Sequence, residues 1–241
     1  MREAKIRLCV TQALAKGQTI PLTRDQAHYL FGVMRLKQGA RVLLFNGVDG
    51  EFLAEVVDAG KRKGALNCLE KTRPLQMPPD LWLLFAPIKK ARTAFIVEKA
   101  VELGVARILP VQTRFTNAER IRQDRLQAHA LEAAEQCGGT YVPDVEDIRR
   151  LELVLEDWPA DRQLVFCDEA IAGAREVLAG MADQKKWAIL IGPEGGFSED
   201  ERKQLAALPF VTKISLGPRI LRADTAAVAA ITLWQSALGD W

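Results

Sequence analysis

Residues 188–201 read Ala188-Ile189-Leu190-Ile191-Gly192-Pro193-Glu194-Gly195-Gly196-Phe197-Ser198-Glu199-Asp200-Glu201. The apolar run Ala188 to Ile191 has the make-up of a fully buried strand. Gly192 to Phe197 breaks it with glycine and proline. A helix is predicted to begin after Ser198, because Ser198-Glu199-Asp200-Glu201 fits the Ser-x-x-Glu capping box. Strand, glycine loop and helix follow one another, and glycine at such a turn lets a ligand approach the backbone. Phosphate is the usual guest of a helix N-terminus. Here Glu194, Glu199, Asp200 and Glu201 would repel it. The spacing is neither G-x-G-x-x-G nor G-x-x-x-x-G-K-[ST]. A ligand without phosphate fits better. The plainer alternative is a tight turn with a good cap.

The same order recurs downstream. Val211 to Leu216 is a strand candidate. Ser215-Leu216-Gly217-Pro218-Arg219-Ile220-Leu221-Arg222-Ala223-Asp224-Thr225 is a loop, with Asp224 or Thr225 as the expected N-cap. The following helix, Ala226 to Leu238, is apolar almost all round and must be covered by the core or by another subunit. Arg219 and Arg222 beside it either act on a ligand or pair with Glu194 or Asp224. Working outward, Leu81–Phe85, Ile108–Val111 and Leu164–Cys167 read as further strands. Helices are predicted from Thr93 to a terminating Gly104, and from about Glu119 to Cys137 before Gly138-Gly139. Strands separated by helices imply an α/β domain with a parallel sheet covered on both faces.

The first third differs. Ile6 to Val10 alternates apolar and polar residues. Arg41 to Asn46 and Glu51 to Val57 flank the turn cluster Asn46-Gly47-Val48-Asp49-Gly50, which is a hairpin signal. Leu66 to Leu69 adds a strand, and Thr23-Arg24-Asp25-Gln26 caps one short helix. Short strands with glycine punctuation suggest a small β-barrel. Three prolines between Pro74 and Pro79 mark a linker, so domains are expected at 1–73 and 74–241.

Charge divides at the same place. Residues 1–73 hold 13 Lys and Arg against 7 Asp and Glu, whereas the remainder holds 20 against 24. A basic first domain suits a polyanion such as RNA. Candidate phosphate contacts are Arg2, Arg7, Arg24, Arg35 and Arg41. The four cysteines have no C-x-x-C spacing and only two histidines exist, so unpaired thiols and no metal site are expected. No apolar run approaches the roughly 20 residues of a membrane span. The first residues lack the apolar stretch of a secretion signal, which points to the cytoplasm.

Taken together, Ile191 to Glu201 and Leu216 to Thr225 resemble the signature segments of the bacterial 16S rRNA uridine-N3 methyltransferases (the RsmE family), a branch of the SPOUT methyltransferases. Lys99-Ala100-Val101-Glu102-Leu103-Gly104-Val105 looks like the family's K-x-x-E-L-G-V element. Ala133 to Cys137 with Val142-Pro143, Asp25 to His28 with Arg35-Leu36, and Leu44 to Gly47 extend the likeness over nearly the whole chain. Three departures stand out: Asp224 where the family often has Glu, Gly139 where it often has Arg, and Phe31-Gly32 in place of a polar or basic pair.

The resemblance implies a PUA-like N-terminal barrel and a SPOUT α/β domain with a C-terminal trefoil knot, an exception to the usual unknotted topology. It also implies a homodimer, S-adenosylmethionine as cofactor and a uridine near the 3′ end of 16S rRNA in the small ribosomal subunit as target. The cofactor would lie against Gly192, Pro193, Gly196, Leu216, Gly217, Ile220, Leu221 and Thr225. Arg222 and Arg219 would stabilise a uracil anion, with Glu194 or Asp224 accepting a proton or orienting an arginine. Three other readings stay open: a Rossmann-type nucleotide enzyme, a non-catalytic RNA-binding protein of ribosome assembly, and a SPOUT methyltransferase acting on another RNA site.

Overall fold

The structure is a computed structural model that describes residues 4–60, 62–117, 121–168, 178, 180–181 and 184–241. Two compact units emerge. The first comprises Met1–Met77 and Ala134–Val142, and the second Pro78–Ala133 and Pro143–Trp241. Residues 134–142, expected in the second domain, therefore pack with the first.

The first unit is a curled five-stranded sheet in the order β1-β3-β4-β5-β2. Its strands are β1 (Arg7–Cys9), β2 (Thr19–Pro21), β3 (Arg41–Phe45), β4 (Glu51–Ala59) and β5 (Gly64–Arg73). β1 runs parallel to β3 and the other pairs are antiparallel. Every second residue points inward, as a pleated strand requires. Leu8, Ile20, Val42, Leu44, Phe52, Ala54, Val56, Leu66 and Cys68 thus meet in one core. Asn46 shapes the β3–β4 turn: its side-chain oxygen accepts from the Val48 and Asp49 amides at 3.0 and 2.8 Å. The capping box forms at α1 (Arg24–Ala27), and the Gln26 amide also donates to Cys9 O at 3.0 Å. The helix then widens into a π-helical turn, His28–Val33. That turn drives Phe31 into the core.

A buried carboxylate ties residues 134–142 into this unit. Glu51, with 3% of its side chain exposed, accepts from Arg7 Nε at 2.8 Å and from Arg73 at 2.6 Å. Burial pushes its carboxyl up. The bonds from Arg73, Arg7 and Thr72 outweigh that and hold it below the ordinary range. Arg7 also donates to the carbonyls of Ala134 at 2.6 Å and Gly139 at 2.7 Å, at the end of the helix that stops at Cys137. A cation there satisfies terminal carbonyls and opposes the helix dipole.

The second unit is a parallel sheet in the order β12-β10-β11-β6-β7-β8, with β9 also pairing with β7. The strands are β6 (Leu81–Phe85), β7 (Arg107–Gln112), β8 (Asp144–Val145), β9 (Arg149–Arg150), β10 (Arg162–Cys167), β11 (Lys186–Ile191) and β12 (Val211–Ile214). Its described helices of regular length are α2 (Lys90–Glu102), α3 (Gln123–Cys137), α4 (Leu151–Glu156), α5 (Glu199–Ala207) and α6 (Ala223–Leu238). β10 and β11 are buried along almost their whole length, as sheets covered on both faces are.

Helices α2 and α6 differ from expectation. α2 starts at Lys90, three residues before Thr93, whose hydroxyl accepts from Ile88 N at 3.0 Å from inside the first turn. α6 is capped by Arg222 with no side-chain bond, so Asp224 and Thr225 lie inside the helix. α6 also buries only one face: Ala223, Ala227, Ala230, Ile231 and Trp234 pack inward against α2 and β11, while Val228 and Leu233 stay half-buried. The helix is apolar on all sides in composition but not in burial.

Candidate functional site

β10 lies between β11 and β12, so the loops leaving β11 and β12 flank its carboxyl end. Crevices outside the carboxyl ends of parallel strands are where α/β folds bind ligands. One cleft occupies this position. Cys167 and Asp168 form its floor, Ile191 to Glu194 with Gly196-Phe197 one wall, and Ser215 to Ala223 the other, leaving out Pro218.

Each loop has a local reason for its shape. Gly196 donates to Pro193 O at 2.9 Å and adopts φ 68°, a left-handed conformation that suits glycine. Gly192 is needed for space: a Cβ there would lie 2.5 Å from the Phe197 ring. Phe197 is buried edge-on against Phe166, with centroids 4.9 Å apart. The capping box at α5 forms as the sequence predicts, with Glu201 accepting from Ser198 N at 2.8 Å and also from Arg114 N at 2.8 Å. In the second loop Gly217 takes φ 113°, and the Ser215 hydroxyl accepts from its amide at 3.3 Å.

Of the expected cofactor and catalytic residues, Gly192, Pro193, Glu194, Gly196, Leu216, Gly217, Arg219, Ile220, Leu221 and Arg222 line this cleft. Thr225 does not, because the first turn of α6 presents Ala223 and Ala226 instead. Asp224 lies outside it as well and is reached from α2. Arg92 NH1 is 3.2 Å from Glu194 Oε1, and its Nε is 3.7 Å from Asp224 Oδ2. One guanidinium thus joins the two carboxylates that sequence reasoning had offered to Arg219 or Arg222. Those two arginines have no side-chain partner among the described residues, and both are exposed.

A second pair escaped the sequence reading. Asp168, with 4% of its side chain exposed, accepts from Arg202 NH1 at 2.6 Å, and Arg202 Nε donates to Phe197 O at 3.2 Å. This braces the first loop against the end of β10. Burial pushes the Cys167 thiol up to about 12, so it is protonated at neutral pH and offers no thiolate nucleophile.

The basic candidates of the first unit separate. Arg24 and Arg35 are exposed, and Arg35 holds φ 55°. Arg41 is half-buried. Arg7 is corrected: its guanidinium is largely buried, committed to Glu51 and to backbone carbonyls, and stacked over Phe45 at 4.4 Å, so it is poorly placed to meet a phosphate. Arg2 lies outside the described residues. All four cysteines are free. Among the described residues no group of three or more His, Cys, Asp or Glu is placed to hold a metal, and no helix is long and apolar enough to cross a membrane.

A curled sheet is followed by a parallel sheet with two glycine loops at its carboxyl edge, and comparison with known proteins places this arrangement among RNA methyltransferases. Residues 76–235 match the RNA methyltransferase domain family, and residues 22–66 match the RNA methyltransferase PUA domain. The ribosomal RNA small subunit methyltransferase E of Rickettsia conorii is 32% identical over 93% of this chain and 93% of its own length. A Legionella pneumophila methyltransferase solved with bound SAM superposes with a TM-score of 0.88 at 27% identity, covering 98% of this chain and 99% of that one. The Neisseria gonorrhoeae ribosomal RNA small subunit methyltransferase E bound to S-adenosyl methionine gives 0.86 at 27% identity, with the same coverage. The chain belongs to the ribosomal RNA small subunit methyltransferase E family. The PUA-like unit and the SPOUT-type α/β unit implied by the resemblance are both present.

Proposed function

We propose that this protein transfers the methyl group of S-adenosylmethionine to N3 of a uridine in 16S rRNA, acting in the cytoplasm on the small ribosomal subunit as a knotted homodimer. The observation that carries the reading is the cleft between the two glycine loops. Its lining combines apolar side chains and backbone with Glu194 and the exposed Arg219 and Arg222, and its one buried acid, Asp168, is already bound to Arg202. That lining fits a ligand that is part apolar and part polar. A Rossmann-type nucleotide enzyme is disfavoured by the first loop, where Glu194, Glu199, Asp200 and Glu201 crowd the helix start and the glycine spacing does not match a dinucleotide fingerprint.

Bound there, the cofactor supplies an electrophilic methyl group. The protein must then manage the uracil. Neutral N3 carries a proton, and attack requires that it leave. Arg222 and Arg219, exposed at the mouth and without carboxylate partners among the described residues, are available to the uracil oxygens. A fixed guanidinium there stabilises the anion that forms. Glu194 and Asp224, held by Arg92, join the first loop to the start of α6 and set the width of the mouth. Arg24, Arg35 and Arg41 remain the phosphate contacts proposed for the first unit. The dimer is supported by the half-buried apolar side chains on the outer face of α6 and by Ile220, 80% exposed beside the cleft.

Nucleoside mass spectrometry of 16S rRNA from cells lacking the gene tests the assignment. Loss of 3-methyluridine, restored by the wild-type gene, is the expected result. A full complement of 3-methyluridine without the gene refutes it. RNA binding without any cofactor binding would favour the non-catalytic alternative.

A further inference from the structure

Beside the cofactor cleft lies a second one, about 620 Å³ in volume, in the same unit. Pro193 and Glu194 line both, so the two clefts adjoin the same loop. Its floor is apolar, formed by Ile88, Ala94 and the buried Leu126. Lys89, Lys90 and Arg125 stand exposed at its edge. None of the three makes a salt bridge among the described residues, and Glu194, already on Arg92, is the one acidic group in the described lining. Uncompensated cations around an apolar floor are matched by a molecule with a flat apolar body and anionic flanks. A nucleotide within a strand has that form: bases lie on apolar surface while phosphates take the cations.

We infer that this cleft seats a nucleotide that flanks the target in the same strand, with its base on the Ile88–Ala94–Leu126 floor and its phosphates on Lys89, Lys90 and Arg125, while the target uracil stays with Arg219 and Arg222 at the mouth of the cofactor cleft. The inference rests on the proposed methyl transfer to RNA and adds where the substrate lies.

The test uses the full chain and small ribosomal subunits from cells lacking the gene. Lys89→Glu, Lys90→Glu and Arg125→Glu are each compared with Lys185→Glu, an exposed position at the opposite end of β11. Binding is measured over a range of salt, and cofactor affinity by calorimetry. For each lost phosphate contact the slope of log K against log salt should fall by about 0.7. KM for subunits should rise, while cofactor affinity and melting temperature hold. Lys185→Glu should change none of these. Ala94→Trp fills the floor from the surface of a helix. It should abolish turnover with cofactor affinity retained. Unchanged slopes and KM in the three charge variants, or normal turnover in Ala94→Trp, overturn the inference. A wild-type protein that neither binds S-adenosylmethionine nor methylates the subunits defeats the proposed function instead.

Discussion

Gly192→Ala should damage the first loop by a clash that can be located and then relieved. The added Cβ would lie 2.5 Å from Phe197 Cε2 and 3.0 Å from Cδ2. Carbon atoms in contact settle at about 3.5–4.0 Å, so the ring must retreat by about 1 Å. It has little room, because it is 7% exposed and meets Phe166 edge-on at 4.9 Å. Overpacking of this kind costs about 1–3 kcal/mol. For a chain of this size each kcal/mol lowers Tm by roughly 2–4 °C. Phe197 O accepts from Arg202, so a displaced Phe197 also shifts the brace to Asp168 and the wall of the cleft. Cofactor affinity should fall along with stability. Thermal melting and calorimetry with S-adenosylmethionine measure both effects. Phe197→Leu removes the ring edge, so the double variant should be more stable than the sum of the single losses, with a coupling of about 0.5 kcal/mol or more. Strictly additive losses, or normal melting and affinity in Gly192→Ala, refute the reasoning.

Four further outcomes are expected. Arg222→Ala should lower single-turnover methylation by about 10²–10³ with cofactor affinity unchanged, and Arg222→Lys by less; near-normal turnover would remove Arg222 from the chemistry. Arg92→Ala breaks ion pairs that are partly exposed, so stability should move by less than about 1 kcal/mol. Its kcat should nonetheless fall, and Arg92→Lys should restore part of it; an unchanged kcat would show that the clasp does not set the mouth. Glu51→Gln leaves Arg7 without its buried counter-charge and should cost about 3 kcal/mol in urea unfolding. The folded Glu51 carboxyl is depressed, so its contribution is present above the ordinary carboxylate range and is lost as pH falls through the lower folded value. Wild type should therefore lose its margin over Glu51→Gln on acidification, and a constant margin would contradict the assignment. Sedimentation at micromolar concentration should give about twice the 26.7 kDa chain mass, whereas a monomer would count against the shared site.

What was legible in the sequence was local chemistry. Ser198 with Glu201 and Thr23 with Gln26 announce helix starts through neighbouring atoms, and both capping boxes formed. Asn46 to Gly50 announced its turn in the same way. The two glycine loops stood out because each follows a strand pattern and precedes a helix, and the sheet order then set them side by side. Partnerships across distance were not legible. Arg92 stands 102 residues from Glu194, and Asp168 stands 34 from Arg202. Arg7 looked like a surface cation until residues 134–142 came to meet it. β2 is three residues long and ends on a proline, too little for any period to show.

The last strand carries one more implication. β12 is four residues long and pairs with β10 alone among the described strands. Short edge strands are the first to fray, by local opening far below the global unfolding energy. The second glycine loop hangs from that strand, so every opening of the edge also dismantles half of the cleft. A ligand touching both loops acts as a rivet across β10, and mass action favours the closed edge. Amide exchange at Val211–Ile214 should then slow in step with cofactor occupancy, which makes the outermost strand the protein's own gauge of whether it is charged for a turnover.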